Sequence, residues 1–172
     1  TNHIKTIVFG AGCFWSVEKK FQDTYGVINV ESGYADGKKI KPVYKEIIKR
    51  ENRFNPDNYA EVVKVTYNSN KTNLENLLKT FFEMHDPTQE NRQGNDIGVQ
   101  YRSTILTSSK EEILLSNRVR DKYQNLLSKK GYGLIKTNIK ELTNFYLAEN
   151  YHQDYLNKNP NGYCPDYSTG VV

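Results

Sequence analysis

The spacing of apolar residues divides the chain into alternating strand-like and helix-like runs. Ile4-Lys-Thr-Ile-Val-Phe9 is apolar enough for a strand, and Gly10-Ala-Gly12 breaks it. Phe14, Val17 and Phe21 then fall at i, i+3 and i+7, one buried face of a short helix that opens at Cys13 and is closed by Gly26. Val27 to Tyr34 predicts a second strand, ending at Gly33. Lys38 to Tyr59 is polar and interrupted by Pro42 and Pro56, which predicts irregular structure. Glu61-Val-Val-Lys-Val-Thr-Tyr67 alternates as a half-buried strand does.

Two longer helices carry their own start signals. Thr72 and Glu75 have capping-box spacing ahead of Leu74, Leu77, Leu78, Phe81 and Phe82. Ser109 and Glu112 repeat it ahead of Ile113, Leu115, Val119, Tyr123, Leu126 and Leu127, with Gly131 as the stop. Tyr101 to Thr107 predicts a strand between these helices, and Leu134 to Phe145 predicts another. From Ala148 onward the chain is rich in Asn, Pro, Gly and Tyr and reads as coil. Strands and helices interleave without a regular βαβ period, so the pattern predicts α+β rather than a doubly wound sheet.

At 172 residues the chain suits one domain with a real core. An apolar fraction of 37% excludes a disordered polyelectrolyte. No run approaches the roughly 18 apolar residues that a membrane-spanning helix needs, so no membrane partner is expected. The net charge is +4, and its distribution is uneven. Lys38, Lys39, Lys41, Lys45, Lys49, Arg50 and Arg53 face only Glu46 and Glu51 within one stretch. That stretch reads either as a solvated loop or edge, or as a patch for an acidic partner. No nucleic-acid motif accompanies it, so no nucleic acid is expected.

Cys13 and Cys164 are the only cysteines. They form no secreted disulfide framework and are too few for a zinc site, so no metal is expected. No signal peptide is visible, and the expected location is cytoplasmic. A leader already removed, or a longer parent chain, would leave no trace here.

Cys13 follows a strand and two glycines and begins a helix. A thiol there feels the positive end of the helix dipole and unpaired N–H groups, both of which favour the thiolate. The ordinary reading of a lone Cys is a small buried hydrophobe. Cys13-Phe-Trp-Ser16 lacks the second Cys of a thioredoxin-type motif. Phe14 and Trp15 are adjacent and cannot share one helix face. The single Trp is therefore either partly exposed beside the thiol, as a wall for an apolar or sulfur-containing substrate, or packed under a loop.

Gly12-Cys-Phe-Trp-Ser-Val-Glu18 resembles the signature of the peptide methionine sulfoxide reductase A family. The resemblance continues through Gly33-Tyr34, Pro42-Val-Tyr44, Ala60-Glu61-Val62, His85-Asp-Pro87, Asn91-Arg-Gln-Gly-Asn-Asp96, Gln100-Tyr-Arg-Ser103, Tyr151-His-Gln153 and Lys158-Asn-Pro-Asn-Gly-Tyr-Cys164. It covers essentially the whole chain in order. It implies a two-layer α+β sandwich with a mixed sheet, two long helices and a long C-terminal coil. On that division, residues 1–147 are the catalytic domain and 148–172 the coil.

The resemblance also implies an activity: reduction of the S epimer of methionine sulfoxide, free or in peptides and oxidised proteins. Cys13 would be the nucleophile and Glu61 the general acid. Tyr44 and Tyr101 would donate hydrogen bonds to the sulfoxide oxygen, and Asp96 would organise the site. Phe14 and Trp15 would hold the substrate methyl group. A sulfenic acid at Cys13 would condense with Cys164 as resolving thiol. The disulfide would be recycled by thioredoxin, or by dithiothreitol in vitro, with no bound cofactor. A monomer is expected. One region departs from the family: Tyr59 stands where a His is usual, and the Tyr44–Glu61 segment is longer. His85 and His152 are read as structural. The competing readings are a cysteine hydrolase using Cys13 with either His, and a non-catalytic redox-sensing domain.

Overall fold

The computed structural model describes residues 3–172. In chain order the elements are β1 (Ile4–Ala11), α1 (Phe14–Gln22), β2 (Val27–Ala35), α2 (Tyr44–Ile47), β3 (Ala60–Asn68), α3 (Leu74–Met84), β4 (Arg92–Gln93), β5 (Asp96–Ile97), β6 (Ser103–Thr107), α4 (Lys110–Lys129), β7 (Asn138–Glu141), β8 (Phe145–Leu147) and α5 (Tyr155–Lys158). Six strands form one sheet in the order β7-β6-β1-β3-β2-β8, and β4 pairs with β5 in a separate two-residue ribbon. Every pairing in the sheet is antiparallel except β6 with β7. The fold is thus α+β with a mixed sheet.

Period-two alternation decides which side chains meet the helices. Ile7, Phe9 and Ala11 of β1 and Val63, Val65 and Tyr67 of β3 face α1, α3 and α4 in the main core. Val8, Val62 and Leu106 point to the other face, where Leu142 and Phe145 cover them. Phe9 is stacked between Phe21 of α1 and Phe81 of α3, with centroids 5.0 and 4.9 Å away. Truncating such a buried ring costs about 3–5 kcal/mol, a large share of a domain's stability. The same alternation places Glu61 on the helix face, in line with Val63 and Val65. A carboxyl is therefore carried into the core by the strand that holds it.

Several expectations are corrected. The start of α3 is one residue later than Thr72 suggests: Asn73 is the N-cap and accepts from the Asn76 amide at 2.9 Å. Thr72 is buried, and its methyl lies 2.6 Å from where a Cβ on Gly26 would sit, so packing occupies it. Ser109 does cap α4, accepting from the Glu112 amide. The Glu112 carboxylate binds the Thr107 hydroxyl instead of reaching back. The Lys38–Tyr59 segment contains the short helix α2. Tyr101 belongs not to a strand but to a 3-10 turn, Val99–Tyr101, which follows Gly98 at φ 146°. Leu134 to Phe145 is not one strand but contributes to two. β7 extends one edge of the sheet, and β8 begins on the opposite edge. Asn144 ends the crossing by bonding the Asp36 amide and the Gly37 carbonyl, at 2.8 and 2.9 Å. Beyond Ala148 the chain is not plain coil: it holds a 3-10 turn (Asn150–His152) and α5.

Candidate active site

Gly12, at φ 95°, turns the chain from β1 into α1 and leaves Cys13 as the N-cap. A Cβ on Gly12 would lie 2.9 Å from the Cβ of Gln93, so only glycine fits. Gln93 is itself fixed: it accepts from the Asp86 amide and donates to the Asp86 carbonyl, at 2.8 and 2.9 Å. The first amides of α1 have no intrahelical partner. Phe14 gives its amide to Glu61 Oε1 at 3.4 Å.

The thiol expected to be acidic is not. Burial pushes Cys13 far above the usual thiol range, and the neighbouring carboxyl of Glu61 pushes it further, as does Asp96. The amides of Trp15 and Ser16 act the other way and lose. A helix terminus is a partial charge at one end of the side chain, whereas burial removes water from all sides. The resting thiol is therefore protonated at neutral pH.

Glu61 is fully buried, and burial raises its pKa to about 8, against the lowering effect of the Phe14 amide. At neutral pH it is a carboxylic acid, which removes most of its repulsion of a Cys13 thiolate. Its Oε2 is buried without a hydrogen-bond partner among the described residues. One carboxyl oxygen is thus anchored to the helix and the other is unengaged.

Aromatic rings enclose this pair. Tyr44, the first residue of α2, stacks over Phe14 with centroids 6.5 Å apart. Tyr44 and Tyr101 both have pKa values raised by burial and then by Glu61, and Cys13 adds to both. The two phenols, the thiol and the carboxyl therefore form one electrostatic cluster, and the phenols stay protonated as donors. Phe14 is fully buried. Trp15 is half-buried, stacks on Tyr155 at 3.9 Å and donates from Nε1 to His152 Nδ1 at 3.0 Å.

The structure shows two organising groups that the sequence did not single out. Glu149 accepts from the Tyr34 hydroxyl at 2.7 Å and from the Tyr44 amide at 2.8 Å. Burial would raise its pKa, but those donors win and hold it below the usual carboxyl range. Glu18 is buried on α1 and accepts from the Asp154 and Tyr155 amides, at 3.0 and 3.3 Å, which pins α5 to α1. No local pattern marks Glu149, and Glu18 closes the Gly12–Glu18 signature without its role being legible there.

His85 and His152 both have partners other than the thiol, although His152 Nε2 is buried without one among the described residues. His85 donates from Nδ1 to the Phe81 carbonyl, so its Nε2 accepts from the Ser103 hydroxyl. Burial lowers its pKa to about 4. His152 packs against Tyr44 and Phe14 at 4.3 and 5.1 Å and accepts from Trp15. Among the described residues neither His is hydrogen-bonded to the Cys13 thiol. A Cys–His hydrolase pair is therefore not formed.

Asp96 sits half-buried on β5 and accepts from the Tyr163 hydroxyl at 3.0 Å. Cys164, the next residue, is exposed. Cys13 and Cys164 line the same cleft of about 490 Å³, between α1, the end of α3 and the C-terminal segment. Glu61 and the two phenols are not part of that cleft, so the thiol is bordered by the carboxyl cluster and, separately, by the second cysteine's cleft. The segment is tied down on both sides of Cys164. Tyr167 packs on Gly94 and bonds the Asn95 amide and the Tyr163 hydroxyl, and Val171 is buried in the main core.

A half-buried thiol next to a protonated carboxyl, with two protonated phenols and a second thiol on the same cleft, suits reduction of an oxygen-bearing electrophile followed by thiol exchange. The fold and site are those of a cysteine-dependent oxidoreductase. The family model for peptide methionine sulfoxide reductase matches residues 5–170. A peptide methionine sulfoxide reductase MsrA from Rhodospirillum centenum is 46% identical over 98% of this chain and 74% of its own. The structure of methionine sulfoxide reductase A of Corynebacterium diphtheriae superposes with TM-score 0.87, at 38% identity, over 100% of this chain and 82% of its own. Mxr1 of Saccharomyces cerevisiae in reduced form gives TM-score 0.84 at 34% identity, covering 97% and 93%. Mxr1 is also known in complex with Trx2, where its similarity drops to TM-score 0.62 at 23% identity, over 96% and 89%. The chain belongs to the peptide methionine sulfoxide reductase family.

Proposed function

We propose that the protein reduces methionine sulfoxide, in the S configuration, in oxidised proteins and peptides and as the free amino acid. The observation that carries this reading is the buried carboxyl of Glu61 beside the Cys13 thiol, its Oε2 without a hydrogen-bond partner among the described residues and its pKa raised by burial. Sulfoxide oxygen is a poor leaving group unless protonated. As the Cys13 sulfur attacks the sulfoxide sulfur, Glu61 gives its proton to the oxygen and takes up the thiol proton. The hydroxyl then passes to the Cys13 sulfur as the new S–S bond breaks, which releases the thioether and leaves a sulfenic acid. Tyr44 and Tyr101 donate to the oxygen, while Phe14 and Trp15 receive the methyl group. Asp96 holds the β4–β5 ribbon side of the site. Cys164 condenses with the sulfenic acid, releasing water and forming a disulfide.

The complex of the yeast relative with Trx2 supports thioredoxin as the dithiol that returns both cysteines to the reduced state. On this reading residues 1–147 carry the groups that meet the sulfoxide, and 148–172 carry the resolving Cys164 together with Glu149 and His152, which hold Tyr44 and Trp15. The test is a dithiothreitol-driven assay on resolved epimers of a blocked methionine sulfoxide. Turnover is expected on S alone. Equal turnover of R, or none of either, overturns the proposal.

Replacing Glu61 with Gln should slow sulfenic acid formation by roughly 10²–10⁴-fold, the usual scale for a general acid. In the unaltered protein that step should weaken as pH rises through about 8, because the protonated carboxyl is the active form. The Gln variant should lack this limb, read by single-turnover rates between pH 6 and 9.5. Linkage gives a second signature. The folded pKa lies above the unfolded one, so burial of Glu61 lowers stability progressively as pH rises from the unfolded value to about 8. Urea midpoints of the Gln variant should therefore gain on the unaltered protein with rising pH.

A further inference from the structure

The excess positive charge of this protein is concentrated in one segment. Between Lys38 and Arg53 seven basic residues face two acidic ones, a local charge of +5 in a chain of +4, so all other residues together sum to −1. All seven basic side chains are exposed. Lys38 and Lys39 lie 4.0 and 3.8 Å from Asp57, and Lys49 lies 3.0 Å from Glu46. Lys41, Lys45, Arg50 and Arg53 make no ion pair among the described residues.

This segment is also a wall of the candidate site. It contains Tyr44, which stacks over Phe14, and Lys41 and Lys45 bracket that tyrosine in sequence. Its far end is bonded to the other phenol's turn: the Arg53 carbonyl accepts from the Val99 amide at 2.7 Å, at the start of the Val99–Tyr101 turn. Between these two attachments Asn58 donates to the Ile47 and Asn52 carbonyls, both at 3.0 Å, which holds the segment in shape. Exposed Val43, Ile48 and Phe54 lie among the charges and offer apolar contact to a chain lying across them.

We propose that this segment selects oxidised methionines that lie in acidic stretches of polypeptide. The inference rests on the sulfoxide reductase reading above and adds the class of sequence that reading leaves open. A sulfoxide side chain held between Cys13, Tyr44 and Tyr101 must bring its flanking residues over the rim that Tyr44 and Arg53 define. Glu or Asp at those flanks meets uncompensated Lys and Arg, whereas Lys or Arg meets like charge. The bare amino acid has no flanks and is indifferent to the segment. Exposed charges act mainly on association and are screened by salt. The effect therefore belongs in kcat/KM rather than in the chemical step.

The test compares seven-residue peptides with a central methionine S-sulfoxide flanked by Glu, Gln or Lys, alongside N-acetyl methionine sulfoxide methylamide as an uncharged small substrate. Each exposed pair of opposite charges shifts affinity by up to about fivefold. The Glu peptide should therefore exceed the Lys peptide in kcat/KM by roughly tenfold at low salt. The gap should close at about 0.5 M salt, where the screening length is only a few ångströms. The triple variant Lys41→Glu, Lys45→Glu, Arg50→Glu should reverse the preference while the small substrate keeps its kcat/KM, which also verifies that the variant is folded. Equal kcat/KM for the Glu and Lys peptides in the unaltered protein overturns the inference and leaves the sulfoxide reductase reading intact. A preference that survives the triple variant or high salt also overturns it. No turnover of the small substrate overturns both.

Discussion

Cys13→Ser is expected to abolish sulfoxide reduction altogether while leaving the fold in place. Cys13 occupies the N-cap position of α1 without a side-chain cap hydrogen bond, and Ser is among the best residues there, so the helix start is not weakened. The oxygen and sulfur side chains are nearly isosteric, so the surrounding core does not need to repack. What disappears is the nucleophile. A serine hydroxyl is not ionised near neutral pH and is too hard to attack a sulfoxide sulfur. Glu61 would still be protonated and the phenols still in position, so oxygen activation alone would remain. That remainder should give no methionine, because no bond to sulfur can form. The measurement is methionine released by quenched enzyme in excess over substrate, with urea midpoints as the control for folding. Detectable methionine from the Ser variant, at unchanged stability, would move the nucleophile away from Cys13.

The parts of this architecture that were legible in the sequence are those set by local period. The alternation of β3 identifies Val63, Val65 and Tyr67 as core, and the same register carries Glu61 inward, although a lone Glu in a strand would ordinarily be solvated. The i, i+3, i+7 spacing of Phe14, Val17 and Phe21 gives the buried face of α1. What the period could not reveal depends on contacts distant in sequence. Glu149 reaches Tyr44 across 105 residues and Tyr34 across 115, and Trp15 meets His152 across 137. The protonation of Cys13 escaped for the same reason. The helix dipole is visible from sequence, but the burial that overrides it is a property of the assembled core. The C-terminal segment misleads through its composition. Asn159-Pro-Asn-Gly162 suggests a free coil, yet Tyr163, Tyr167 and Val171 each find a partner on the body of the protein.

That anchoring sharpens what Cys164→Ser should do. Cys164 lies between two fixed points, the Tyr163–Asp96 bond and the packing of Tyr167 on Gly94. It already borders the cleft that holds Cys13. To form a disulfide the two Cα atoms must come within about 7 Å. This asks for local rearrangement of the stretch around Pro165 and Asp166, with Val171 keeping the end of the chain in the core. The first chemical step does not use Cys164. The Ser variant should therefore release close to one methionine per enzyme in a single turnover and leave Cys13 as a sulfenic acid. Sustained turnover with thioredoxin should fall to background, because thioredoxin attacks a disulfide and this variant forms none internally. Dithiothreitol is small enough to reach the sulfenic acid and should restore part of the rate. The measurement pairs quenched-flow methionine with dimedone labelling of Cys13, then steady-state rates with each reductant. Full thioredoxin-driven turnover in the variant would make Cys164 a bystander and require thioredoxin to reduce the sulfenic acid directly.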